Sequence, residues 1–90
     1  MKLDVIKLTN ELVSYRSESM LTNVPVTRRV IDVLRQLKFQ VEQLPYDDRN
    51  GVKKLCVVAR LGKGAGGLTM MSHDDVVPAK QEEGWTQDPY

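Results

Sequence analysis

The sequence predicts an α/β fold in which two N-terminal helices are followed by three strands, the start of a larger domain. Three observations predict it. Apolar residues recur at helical spacing through the first third of the chain, then at alternate positions from Phe39 to Leu61. A short run that is apolar on both faces follows, and it leads into the only histidine.

Asp4 is a helix-capping residue type, and Val5, Leu8, Leu12 and Tyr15 follow it on one helical face. This helix should end near Arg16, because Ser17-Glu18-Ser19 offers side-chain hydrogen bonds that compete with the helical ladder. A second helix should open near Asn23, with Pro25 tolerated in its first turn. Its apolar stripe is Val26, Val30, Val33, Leu34 and Leu37, which leaves Arg28, Arg29, Asp32 and Arg35 to water.

The period then changes to two. Phe39-Gln40-Val41-Glu42 alternates, and Pro45 should close that run. Asp47-Asp48-Arg49-Asn50-Gly51 collects turn formers, and Leu55, Val57, Ala59 and Leu61 form one face of a second strand. Gly62 to Gly67 reads as a flexible connection. Leu68 to Ser72 reads as a third, buried strand that ends before Pro78, with His73 at its carboxyl end. No element follows to cover that strand. Residues 1–90 are therefore read as the N-terminal part of a larger domain, with no complete domain present.

Composition narrows the function. A net charge of +1 with no basic stripe argues against nucleic acid, and no stretch reaches membrane-spanning length. The N-terminus alternates charged and apolar residues and lacks the apolar core of a signal peptide, and Cys56 is the lone cysteine. The expected compartment is the cytoplasm. Between Asp74 and Tyr90, five acidic residues stand against Lys80 alone, a segment hospitable to a cation.

The candidate site is Ser72-His73-Asp74-Asp75-Val76-Val77-Pro78. A neutral imidazole beside carboxylates suits a divalent transition metal, although a lone histidine is more often structural. On an extended backbone His73 and Asp75 share a face, so Asp75 can accept from the ring nitrogen that does not meet metal. Asp74 points elsewhere, with no partner assignable. Other chemistries fit less well. Gly62, Gly64 and Gly67 spell a dinucleotide fingerprint but precede a strand pattern where the fingerprint needs a helix. Adjacent Ser72, His73 and Asp74 cannot converge as a hydrolase triad, and a magnesium pocket at Asp74-Asp75 would leave His73 without a role. Trp85 and Tyr90 are more simply packing residues.

The two stretches Ser72–Pro78 and Gly84-Trp85-Thr86-Gln87-Asp88-Pro89-Tyr90 resemble the first signature of a co-catalytic zinc peptidase family, [SG]-H-x-D-V-V-P then W-x-x-[DS]-P-[FY]. That family includes aminoacylases, acetylornithine deacetylase, succinyl-diaminopimelate desuccinylase and carboxypeptidase G-type enzymes. The resemblance covers essentially the whole chain, and the two motifs are its specific part. It implies that His73 ligates one ion of a two-zinc site (cobalt or manganese being substitutes) and that Asp75 orients it. Asp74 falls at the variable position. The implied reaction is amide hydrolysis of an N-acyl amino acid or small peptide, by a protein that is homodimeric at full length. The remaining metal ligands, a glutamate base and a dimerisation domain lie further along in the family, and Glu82, Glu83 and Asp88 match none of those roles. One histidine cannot hold zinc, so the 90-residue chain alone is expected to be inactive. The competing expectation is a small non-enzymatic α/β module whose acidic tail binds a cation or a partner.

Overall fold

The computed structural model describes residues 2–80 and 83–90; Glu82 of the acidic tail lies outside them. Helix α1 spans Val5–Val13, and the Asp4 carboxylate caps it by accepting from the Lys7 amide at 3.0 Å. It ends where the Ser14 hydroxyl turns back to the Glu11 carbonyl at 2.6 Å. No α1 side chain is fully buried, and Val5, expected on the apolar face, is exposed. A two-pronged ion pair joins α1 to the next helix, from Arg29 Nε and Nη2 to the two Glu11 oxygens at 2.6 and 3.2 Å.

Helix α2 spans Val24–Gln36 with Pro25 in its first turn. It buries Val26, Thr27, Ile31 and Val33, so Thr27 and Ile31 join the predicted stripe while Leu37 lies outside it. Lys38 then adopts φ 72°, a left-handed position usually given to glycine. Phe39 N–H meets the Leu34 carbonyl and Lys38 N–H the Arg35 carbonyl, each at 3.0 Å, the paired bonds that close a helix C-terminus.

Strands β1 (Gln40–Asp47) and β2 (Lys53–Arg60) form an antiparallel ribbon in the register Gln40↔Arg60 to Asp47↔Lys53. Asp48 builds the turn between them. Its Oδ1 accepts from the Asn50 and Val52 amides at 2.8 and 3.0 Å, and Gly51 takes φ 77°. Those two bonds, Val52 first, hold the Asp48 carboxyl below its ordinary range against the opposing effect of burial.

Pro45, expected to close β1 because it lacks a donor, lies inside it; the strand runs two residues further. The register explains why. Pro45 faces Leu55, whose own N–H and C=O point away from β1 and bond to Asn23. At such a rung neither strand donates to the other, so proline removes nothing from the ladder.

The predicted third strand is absent among the described residues, so the sheet has two strands. Leu68, Met70 and Met71 are 86–91% exposed, and His73 follows an irregular segment instead of a strand end. An apolar run becomes a strand only where a neighbour completes its ladder and a layer covers its faces. Here β2's outer edge carries side chains at Lys53 and Leu55, from Thr22 and Asn23. Among the described residues the buried apolar core is accordingly small: Val26, Ile31, Val33 and Leu55.

Candidate functional site

The segment carrying His73 is irregular but tied down just after the histidine. Ser17 and Ser19 bracket it through backbone bonds, Val76 N–H to the Ser17 carbonyl at 3.0 Å and Ser19 N–H to the Val76 carbonyl at 2.9 Å. The Ser17 hydroxyl adds a bond to the Asp74 carbonyl at 2.8 Å. Helix α1 ends at Val13, three residues before the expected end near Arg16, so Ser17-Glu18-Ser19 does not stop it and serves instead as a short parallel bridge for the histidine loop, with Glu18 opposite Val76. Composition marked these serines as helix stoppers and gave no sign of the bridge.

Within the loop, His73 Nδ1 lies 3.0 Å from Asp75 Oδ1 and 2.9 Å from the Asp75 carbonyl. Both partners are acceptors, so a neutral ring must carry its proton on Nδ1, leaving the Nε2 lone pair to face outward. The imidazole is 82% exposed. The other Asp75 oxygen accepts from the Ser19 hydroxyl at 2.8 Å. That hydroxyl first, and the imidazole second, hold the Asp75 carboxyl below its ordinary range, with burial opposing. Histidine, carboxylate and serine form one chain of contacts.

Asp74 turns the opposite way, as an extended backbone requires. Its Oδ2 accepts from the Thr27 hydroxyl and its Oδ1 from Asn23 Nδ2 at 3.1 Å. Asn23 uses its remaining capacity on β2, accepting from Leu55 N–H at 2.8 Å and donating to the Leu55 carbonyl at 3.0 Å. One amide side chain therefore joins the start of α2, the middle of β2 and the histidine loop. Its commitment to Leu55 and Asp74 explains why it makes no capping bond to α2.

The second sequence motif folds back onto the first. The Tyr90 hydroxyl accepts from Ala79 N–H at 3.1 Å, and the Arg16 guanidinium stacks 4.2 Å from the Tyr90 ring centroid. Arg16 Nε also bonds Glu18 Oε1 at 2.6 Å. Glu18 is 2% exposed, and its Oε2 has no hydrogen bond of good geometry. The Tyr90 hydroxyl and then Arg16 hold this carboxyl below its ordinary range, with burial opposing. Trp85, at the start of the same motif, is half exposed.

Among the described residues no three histidine, cysteine or carboxylate side chains cluster closely enough to hold a metal ion. The chain offers one exposed imidazole, with its tautomer set by a carboxylate. That donor type suits a divalent transition metal, which takes three or more protein ligands. No helix of the described residues is long and apolar enough to cross a membrane.

Comparison with known proteins finds similarity to desuccinylases and deacetylases. It is 35% identical over its whole length to a succinyl-diaminopimelate desuccinylase of Ehrlichia canis and 30% identical to one from the Wolbachia of Brugia malayi. An acetylornithine deacetylase of Proteus mirabilis is 42% identical across 63% of the chain. The chain belongs to the family these two enzyme types share, the family its motifs resemble. It spans 23% and 22% of the length of the two desuccinylases and aligns with 14% of the deacetylase. No protein-family model matches, and no solved structure matches.

Proposed function

We propose that these 90 residues form part of a metal-dependent amidohydrolase that removes an acyl group from an N-acyl amino acid or small peptide. The observation carrying this reading is the His73–Asp75 pair in a chain related to desuccinylases and deacetylases. His73 would ligate the metal through Nε2. Asp75 would keep Nδ1 protonated and the ring fixed, the usual task of a carboxylate behind a metal-bound histidine. Zinc is the expected ion, with cobalt or manganese as substitutes, in a two-metal site whose other ligands lie outside this segment. Bound there, the metal pair supplies an activated water and charge stabilisation for amide cleavage. The products would be a free carboxylate and an amine.

Asp75 is thus the residue of this chain set behind the reaction and His73 its metal ligand. The 90 residues alone would be inactive, since a single imidazole cannot hold zinc. The complete enzyme would be a cytoplasmic homodimer acting on a small molecule. A cation-binding acidic tail has less support, because Asp74, Asp75 and Asp88 all accept hydrogen bonds within the chain.

The test begins with the coding sequence beyond Tyr90, which should supply an aspartate about thirty residues on and a pair of glutamates later, carboxylates that a two-metal site needs. The extended protein should hydrolyse N-acetyl or N-succinyl amino acids. His73→Ala should abolish zinc retention on dialysis, and Asp75→Ala should weaken it roughly 10- to 100-fold. Full zinc content and activity in His73→Ala would refute the assignment.

A further inference from the structure

The residue between the two site positions is the least obvious member of the loop. Asp74 hydrogen-bonds to neither the His73 nor the Asp75 side chain, yet its carboxylate is held by Thr27, which is 1% exposed, and by Asn23. Its backbone carbonyl is held by Ser17. The three donors come from separate places in the chain: the bridge segment, the residue before α2 and the first turn of α2. Asn23 is itself fixed by two bonds to Leu55 on β2. The loop on either side is largely exposed, with Met71 and Val77 both projecting into water. Asp74 is therefore the point at which an otherwise loosely covered loop is fastened to α2 and β2.

We propose that Asp74 is a positioning residue, fastening the histidine loop to Thr27 and Asn23 so that Asp75 and His73 stay within hydrogen-bond reach. The inference rests on the assignment of His73 as a metal ligand. It adds that the ligand is oriented before any metal arrives, by a carboxylate that never touches metal. A ring turned in advance loses less freedom when it is bound, so the fastening favours binding through preorganisation. With the fastening gone, Ser17 and Ser19 still hold the Asp74 carbonyl, Val76 and Asp75, but the loop loses its hold on α2 and β2, so His73 is no longer kept against Asp75. The imidazole proton then has no single acceptor and exchanges between the two nitrogens.

The chain contains one histidine, so its ring nitrogens can be read without ambiguity. The experiment is long-range proton–nitrogen NMR of the metal-free protein at roughly pH 8, above the ordinary imidazole pKa. The parent should show one dominant tautomer, with a protonated Nδ1 and an unprotonated Nε2. Asp74→Ala should collapse the two nitrogen signals toward a common average while the far-ultraviolet circular dichroism stays that of the parent. Thr27→Val, which exchanges a hydroxyl for a methyl at nearly constant volume, should move the signals in the same direction, and Thr27→Ser should restore them. If Asp74→Ala does not fold, the Thr27 pair decides. A folded Thr27→Val with the parent's nitrogen signals overturns the proposal, as does a folded Asp74→Ala that keeps one tautomer. The readout contains no metal. An extended protein that holds zinc without His73 would therefore refute the ligand assignment and leave this result standing.

Discussion

Replacing Asn23 by alanine should destabilise the fold more than any other change of one exposed or half-buried polar residue. The amide oxygen takes Leu55 N–H at 2.8 Å, and the amide nitrogen serves both the Leu55 carbonyl and Asp74. Leu55 is one of four buried apolar residues among the described residues, so its outward backbone groups have little access to water. Each buried polar group left without a partner costs about 1–3 kcal/mol. The space opened by truncation lets some water in, so the two Leu55 groups together should cost about 2–4 kcal/mol. A chain of this length has roughly 5–13 kcal/mol in all. The loss should move the urea midpoint by roughly 1–2 M. Asn23→Asp is a sharper variant. It keeps the acceptor for Leu55 N–H but turns a carboxylate oxygen toward the Leu55 carbonyl and toward Asp74, so at neutral pH it should be at least as harmful as alanine. Equilibrium urea unfolding gives the magnitude, and amide hydrogen exchange at Leu55 gives the location. An Asn23→Ala protein with a parental midpoint and a protected Leu55 amide would refute the reasoning.

Two further outcomes follow from the same structure. Glu18 has a native pKa below its ordinary 4.5, so its contribution is complete above that value and is lost as pH falls through the lower native one. Urea midpoints taken from about pH 6 to about pH 3 should drop on the acid side, and Glu18→Gln should flatten that limb; an unchanged limb would contradict the assignment. Met70 and Met71 are exposed. Changing both to serine should alter stability by less than about 0.5 kcal/mol and lower the binding of an apolar dye, whereas a loss above about 1 kcal/mol would mean that the run packs as a strand.

Local physics made much of this fold legible in the sequence. The Asp4 cap, the Pro25 helix start and the Asp48–Gly51 turn each depend on a few neighbouring residues, and each stands where those residues predict. The failures come from non-local terms. Pro45 sits inside a strand because the register sets it opposite an outward-facing Leu55, and register is not visible in a single run. Leu68–Ser72 has the composition of a buried strand, but that composition states only what such a run would do beside a partner. At the site, the two-residue spacing of His73 and Asp75 anticipated their contact at 3.0 Å. Thr27 and Asn23, some fifty residues earlier, gave no such hint, and their polar heads became meaningful only when α2 was laid against β2. Glu18 was hidden in the same way, since nothing in Ser17-Glu18-Ser19 announces that Arg16 and Tyr90 will enclose it.

The rung joining Pro45 to Leu55 also bears on how the ribbon behaves in a concentrated solution. A two-stranded ribbon has two bare margins, and each invites a strand from another molecule. At this one rung both invitations are withdrawn, because Pro45 has no N–H to offer on its side and Asn23 already occupies both groups on the other. A visiting strand can therefore not run the full length of either margin. It is confined to the end bounded by Val41 and Gln43 on one side and Val57 and Ala59 on the other, a shorter stretch than the full ribbon. A proline and an asparagine, far apart in sequence and unlike in chemistry, thus act together as a guard against self-assembly.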